Sequence, residues 1–171
     1  VSIDEECSRI LATRAPTAGD LRLVIAIIKT ITDLERIGDE AEKIGVLAAR
    51  LASVERPATS YRELRNLARH VKQMVHNALD SFARLDPKGA LDVVKADDAV
   101  DEEYDSIYRQ GITFMMEDPR TISASLDTLW VAKAIERIGD HAKNIAEYVI
   151  YIVEGKDIRH TDYASAQQAA V

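Results

Sequence analysis

Carboxylates at helical spacing are the residues of this chain best equipped for chemistry. Glu35 and Asp39 stand four positions apart in Glu35-Arg36-Ile37-Gly38-Asp39, and the same five residues return as Glu136-Arg137-Ile138-Gly139-Asp140. Residues four apart stack on one face of a helix, so each motif aims two carboxylates at the same space. Like charges so placed cost about 0.2–0.5 kcal/mol unless a cation lies between them. Asp97 and Asp101 have the same spacing upstream of the second motif. A looser echo, Ile3-Asp4-Glu5-Glu6 against Val100-Asp101-Glu102-Glu103, makes Asp4 the counterpart of Asp101, and its own partner would fall before Val1. Carboxylates converging from adjacent helices are how metal sites in bundle cores are built. An all-oxygen donor set suits Mg, Mn, Ca or Fe rather than copper. The candidate metal ligands are therefore Glu35, Asp39, Glu136 and Asp140, then Asp97 and Asp101, and lastly Asp4. The alternative is that the acid pairs only solvate helix edges. Glu42 shares the face of the first motif, but its counterpart is Lys143, so it is not a ligand common to both halves.

The elements that must position these acids read as helices almost throughout. Leu21, Val24, Ile28 and Ile31 form an apolar stripe leading into Glu35 and Asp39, as Leu129 and Ala132 lead to Glu136 and Asp140. Each acid pair is thus expected where its helix turns from core toward surface. Apolar periodicity predicts helices from Thr17 to about Val54, from Tyr61 to Leu85, from Ala90 to Met116 and from Ile122 to Val153. Pro57 ends the first, Asp86-Pro87-Lys88-Gly89 reads as a turn, Asp118-Pro119 breaks the pattern, and Gly155 closes the last helix. Val1 to Glu6 reads as the middle of a helix. The chain is a duplicated all-α protein, two tandem three-helix bundles of which the first is incomplete, lacking one helix and the start of another. Its units are 1–56, an N-terminally truncated helical unit, 57–160, a three-helix bundle, and 161–171, a polar, Ala-rich tail expected to fray. Gly38 and Gly139 each cost roughly 1 kcal/mol in a helix interior relative to Ala. Close approach of a neighbouring helix would offset that cost; the other reading is room for a metal-bound water.

Composition narrows the function. The 171 residues carry 22 Lys+Arg against 29 Asp+Glu, a net charge of −7, which argues against non-specific nucleic-acid binding. Cys7 is the single cysteine, so neither an intrachain disulfide nor a thiolate metal cluster can form, and a reducing cytoplasm suits the chain. The richest apolar stretch, 21–31, is interrupted by Arg22, Lys29 and Thr30 and falls short of a membrane span. No Glu-x-x-His motif supplies the diagnostic ligand of a ferritin-type oxidase. There is no Gly-x-x-x-x-Gly-Lys loop, and His70, His76, His141 and His160 show no ligand spacing. Arg62, Arg65, Arg69 and Lys72 read as a solvated face or a hold for an acidic partner, Arg36 and Arg137 as salt-bridge formers. Trp130 reads as packing or interface, and Cys7 as core.

The twin Glu-Arg-Ile-Gly-Asp motifs, with Asp20-Leu21-Arg22-Leu23-Val24 and Met115-Met116-Glu117-Asp118-Pro119-Arg120-Thr121-Ile122, resemble the PhoU family from the first residues to about His160. The resemblance implies two related three-helix bundles and negative regulation of phosphate uptake and of the phosphate regulon. It implies action with subunits of the phosphate ABC transporter and a phosphate-sensing histidine kinase, from the cytoplasm at the inner membrane face, as a homodimer. In such proteins E/D-x-x-x-D motifs bind metal clusters, iron or zinc in some members. Those motifs fall here on Glu35/Asp39, Asp97/Asp101 and Glu136/Asp140, with Asp4 as half a motif. The chain departs from the family pattern by lacking the first helix and the partner of Asp4, leaving a groove open to a neighbouring chain. The reading is a non-enzymatic regulator binding iron, zinc, manganese or magnesium. Its rivals are a metal-free helical adaptor and a carboxylate-bridged metalloenzyme. Replacing Glu136 and Asp140 together by Ala should lower the metal content found by elemental analysis while the protein stays helical; unchanged content would sink that ligand assignment.

Overall fold

A computed structural model describes residues 2–53 and 61–155. Pro57, the boundary at 56/57 and the tail 161–171 lie outside the described residues. Five α-helices follow in order: α1 Ile3–Arg14, α2 Ala18–Ala52, α3 Arg62–Arg84, α4 Pro87–Glu117 and α5 Ile122–Glu154, with a 3-10 turn Pro119–Thr121 before α5. Among the described residues the fold is all-α, as the periodicity predicts.

Helix ends follow local chemistry. Ser2 is the N-cap of α1 in a capping box, its Oγ accepting from Glu5 N–H at 3.2 Å while its own N–H donates to Glu5 Oε2 at 3.1 Å. Thr17 caps α2 from an extended backbone, with its hydroxyl donating to Asp20 Oδ2 at 2.8 Å. The Asp86–Gly89 turn is tighter than predicted. Leu85 takes a left-handed φ of 52°, Asp86 caps through Lys88 N–H, and Pro87 already opens α4, a position where its missing N–H costs nothing. Gly89 is required there, since a Cβ would lie 2.7 Å from Ser81 Oγ and 2.8 Å from Asp86 Oδ2. Gly155, at φ 69°, ends α5 as read from the sequence.

α3, α4 and α5 pack together around Leu67, Val71, Val93, Val100, Ile145 and Val149, all nearly inaccessible. α2 lies along α5, and α1 packs on α2. Ion pairs and hydrogen bonds between α2 and α5 run in opposite order, Asp33 to His141, Glu40 to Arg137 and Arg50 to Asp127, so these helices are antiparallel.

The buried residues of α2 mix apolar Val24, Ala26 and Leu51 with polar ones. Thr30, Asp33 and Glu40 are buried, whereas Leu34 is 39% exposed and Ala41 and Ala48 are exposed. α5 packs along the side of α2 that carries Asp33 and Glu40. The expected neighbour for Gly38 is absent too: a Cβ built there meets nothing within 4 Å among the described residues, and the same holds at Gly45. Gly139 does approach other helices, at 3.5 Å from Val100 Cγ1 and 3.6 Å from Val71 Cγ2, ordinary contact that would accept a methyl group. Gly38→Ala should therefore raise stability by up to about 1 kcal/mol through helix propensity alone, read as a higher unfolding midpoint. A loss of stability would mean that Gly38 serves a contact or a ligand.

Candidate carboxylate centre and the seam beside it

α4 and α5 bring Asp97, Asp101, Glu136 and Asp140 onto one side of the second unit. Asp97 is buried on α4, its Oδ1 3.9 Å from where a Cβ on Gly139 would stand. Glu136 is buried on α5, Asp140 is half-buried, and Asp101 lies at the exposed rim. The four charges feel one another. Burial, then Glu136, Asp97 and Asp101, push the Asp140 carboxyl up to about 6 against the pull of Lys133. Partial burial, then Asp97 and Glu136, raise Asp101 as well, with Lys143 opposing.

Two ammonium groups sit among these acids. Lys143 Nζ is 2.6 Å from Asp97 Oδ2 across the helix interface, and Lys133 Nζ is 2.6 Å from Glu136 Oε1 one turn away on α5. Burial works against the Lys133 charge, but its bond to Glu136 and the nearby acids hold its pKa above the usual lysine value. Lys133 also stands 5.1 Å from the centre of the Tyr104 ring. Glu136 Oε2 is buried without a hydrogen-bond partner. Among the described residues no three His, Cys, Asp or Glu side chains converge closely enough to hold a metal ion as they stand.

The first motif is arranged differently. Glu35 and Asp39 are both exposed on α2, not at a core edge, and Asp4 is exposed on α1. Asp39 lines a cleft of about 690 Å³ between α2 and α5, with Glu40, Glu42, Lys43, Arg50, Trp130, Lys133 and Arg137. Trp130 is 62% exposed there, so it does not pack in the core. Arg137 bridges to Glu40 at 3.3 Å, the inter-helix role read for it, and Cys7 is buried. Arg62, Arg65, Arg69 and Lys72 form an exposed face.

The seam between α2 and α5 holds a cluster that spacing did not reveal. Asp33, 3% exposed, accepts from His141 Nδ1 at 2.7 Å, from Asn144 Nδ2 at 3.2 Å and from Tyr148 Oη at 2.9 Å. Glu40, equally buried, is held by Lys43 at 2.7 Å and by Arg137. The available signal was that Asp33 and Glu40 are seven apart and so share a face of α2. Their partners on α5, however, are more than 90 positions away.

The PhoU domain profile matches residues 1–48 and 64–149. The chain belongs to the PhoU family. It is 52% identical over 159 residues to the phosphate-specific transport system accessory protein PhoU homolog of Pseudomonas aeruginosa, covering 93% of this chain and 66% of that protein. Identity to the Escherichia coli phosphate-specific transport system accessory protein PhoU is 50% over 160 residues, covering 94% of this chain and 66% of that protein. The chain thus spans just under two-thirds of the length of these curated relatives. The crystal structure of PhoU from P. aeruginosa superposes with a TM-score of 0.86 at 52% identity, covering 90% of this chain and 73% of that one. The phosphate transport system regulatory protein PhoU from Streptococcus pneumoniae gives 0.80 at 26% identity, covering 90% and 72%. Membership in this family of helical bundles agrees with the resemblance read from the twin motifs.

The raised Asp140 has a measurable consequence. The unfolded chain binds that proton near the ordinary 3.8, so the native state holds it more tightly between there and about 6. The stability this contributes is complete at low pH and is lost as pH rises through about 6. Asp140→Asn removes this dependence. In denaturant titrations with chelator present, the stability of the Asn variant relative to wild type should improve as pH rises from about 4 to about 7. A difference that stays flat over that range contradicts the placement of Asp140 among the other acids.

Proposed function

We propose that this chain is a negative regulator of phosphate uptake and of phosphate-regulon signalling, working by docking rather than catalysis. The observation that carries the reading is family membership with relatives named as accessory and regulatory proteins of phosphate transport, none of them named as an enzyme. Its partners are the phosphate ABC transporter subunits and a phosphate-sensing histidine kinase, met from the cytoplasm at the inner membrane face. Among the described residues no helix is long and apolar enough to cross a membrane, which agrees with attachment through partners. The protein acts as a homodimer.

Divalent metal is the second part of the proposal. The donor set in the second unit is all oxygen, and the buried, unpartnered Glu136 Oε2 is an orphan that a cation would satisfy, so the residues fit the group. Asp97, Asp101, Glu136 and Asp140 would hold it; Glu35, Asp39 and Asp4 are the corresponding donors of the first unit. A bound ion would supply positive charge that ties α4 to α5. Lys133 and Lys143, already seated on Glu136 and Asp97, favour the rival reading in which this cluster is a metal-free structural element.

Docking is tested with the phosphate ABC transporter reconstituted in lipid nanodiscs. The chain should bind it saturably and should not bind nanodiscs lacking the transporter. Equal retention by both kinds of nanodisc, or by neither, contradicts the docking reading.

A further inference from the structure

The duplicated halves differ where it matters for cation binding. Aligning the two Glu-Arg-Ile-Gly-Asp motifs places Thr32 opposite Lys133 and Glu42 opposite Lys143. The first motif therefore has no lysine at either position, while the second has one at each. Both lysines are directed inward. Lys143 reaches from α5 to the nearly inaccessible Asp97 of α4, and Lys133 reaches along α5 to Glu136. Each ammonium takes one oxygen of a buried carboxylate and leaves Glu136 Oε2 without a partner. In this arrangement, among the described residues, no three acids converge closely enough to hold a metal ion.

We propose that Lys133 and Lys143 are built-in counter-ions that occupy the second carboxylate cluster, and that a divalent cation enters it only by displacing them. This deepens the metal reading above and rests on it. Two like charges cannot share the cluster, because ammonium and metal ion would stand a few ångströms apart in partly dry surroundings, where repulsion is far stronger than in water. Both lysines can leave. Their side chains are 41% and 32% exposed, and long flexible stems let the ammonium swing to solvent without unpacking the helix. The cluster is then a two-state element, neutralised from within when divalent cation is scarce and from outside when it is plentiful. The first motif has no lysine at the two aligned positions.

The experiment compares Mn²⁺ binding by wild type and by Lys133→Gln/Lys143→Gln, both carrying Glu35→Gln and Asp39→Asn so that only the second cluster responds. The readout is the rise in unfolding temperature with added MnCl₂. The lysine variant should be less stable without metal and should respond at a Mn²⁺ concentration at least about tenfold lower than the lysine-containing protein. Equal midpoints overturn the counter-ion proposal and leave the metal reading standing. No response from either protein sinks the metal reading for this cluster, and the proposal with it. Wild type supplies a second measurement that needs no variant to fold. Acetylation of Lys133 and Lys143, followed by mass spectrometry, should speed up several-fold when Mn²⁺ is added, and unchanged labelling alongside metal binding overturns the displacement.

Discussion

α5 is flanked by α2, α3 and α4, and its sequence must satisfy three interfaces at once. Small residues make this possible. Ala132, Ala142 and Ala146 are wholly inaccessible, and with Gly139 they let neighbouring backbones come close, while Ile145, Val149 and Ile150 fill the space between. The same crowding forces the polar groups of α5 into company. Glu136 and His141 are buried, so each is met by a charged or hydrogen-bonding partner, Lys133 one turn away on α5 for Glu136 and Asp33 of α2 for His141. The carboxylate centre and the polar seam thus follow from one constraint, a central helix that still carries ionisable groups.

Much of this was legible in the sequence. Helix existence, the stop at Gly155 and the grouping of Asp97, Asp101, Glu136 and Asp140 follow from apolar periodicity and i,i+4 stacking. What the sequence hid depends on which elements are present to cover a face. The stripe leading into Glu35 and Asp39 promised both acids a core edge, yet both are exposed. Instead Thr30, Asp33 and Glu40 are inside because α5 lies on their side. Lys143 is a similar case. As an exception to the repeat it served only to disqualify Glu42, and its reach across to Asp97 needed the register of α4 against α5.

The two polar clusters differ in what they can exchange. Asp33 is engaged by three neutral or weakly basic donors in a nearly dry seam, so it is locked in place while the helices stay together. The α4–α5 acids are held by lysines that also touch solvent, and their partners can change without the helices moving apart.

Divergence of the repeat at the seam has a consequence for how copies of the chain tell one another apart. His141, Asn144 and Tyr148, which receive Asp33, stand where the first half has Glu40, Lys43 and Leu47. An α2 from a second copy, laid along the same line as α5, would offer Asp33 one carboxylate, one aliphatic side chain and a single donor. The seam is therefore an address readable only by the second half of a chain.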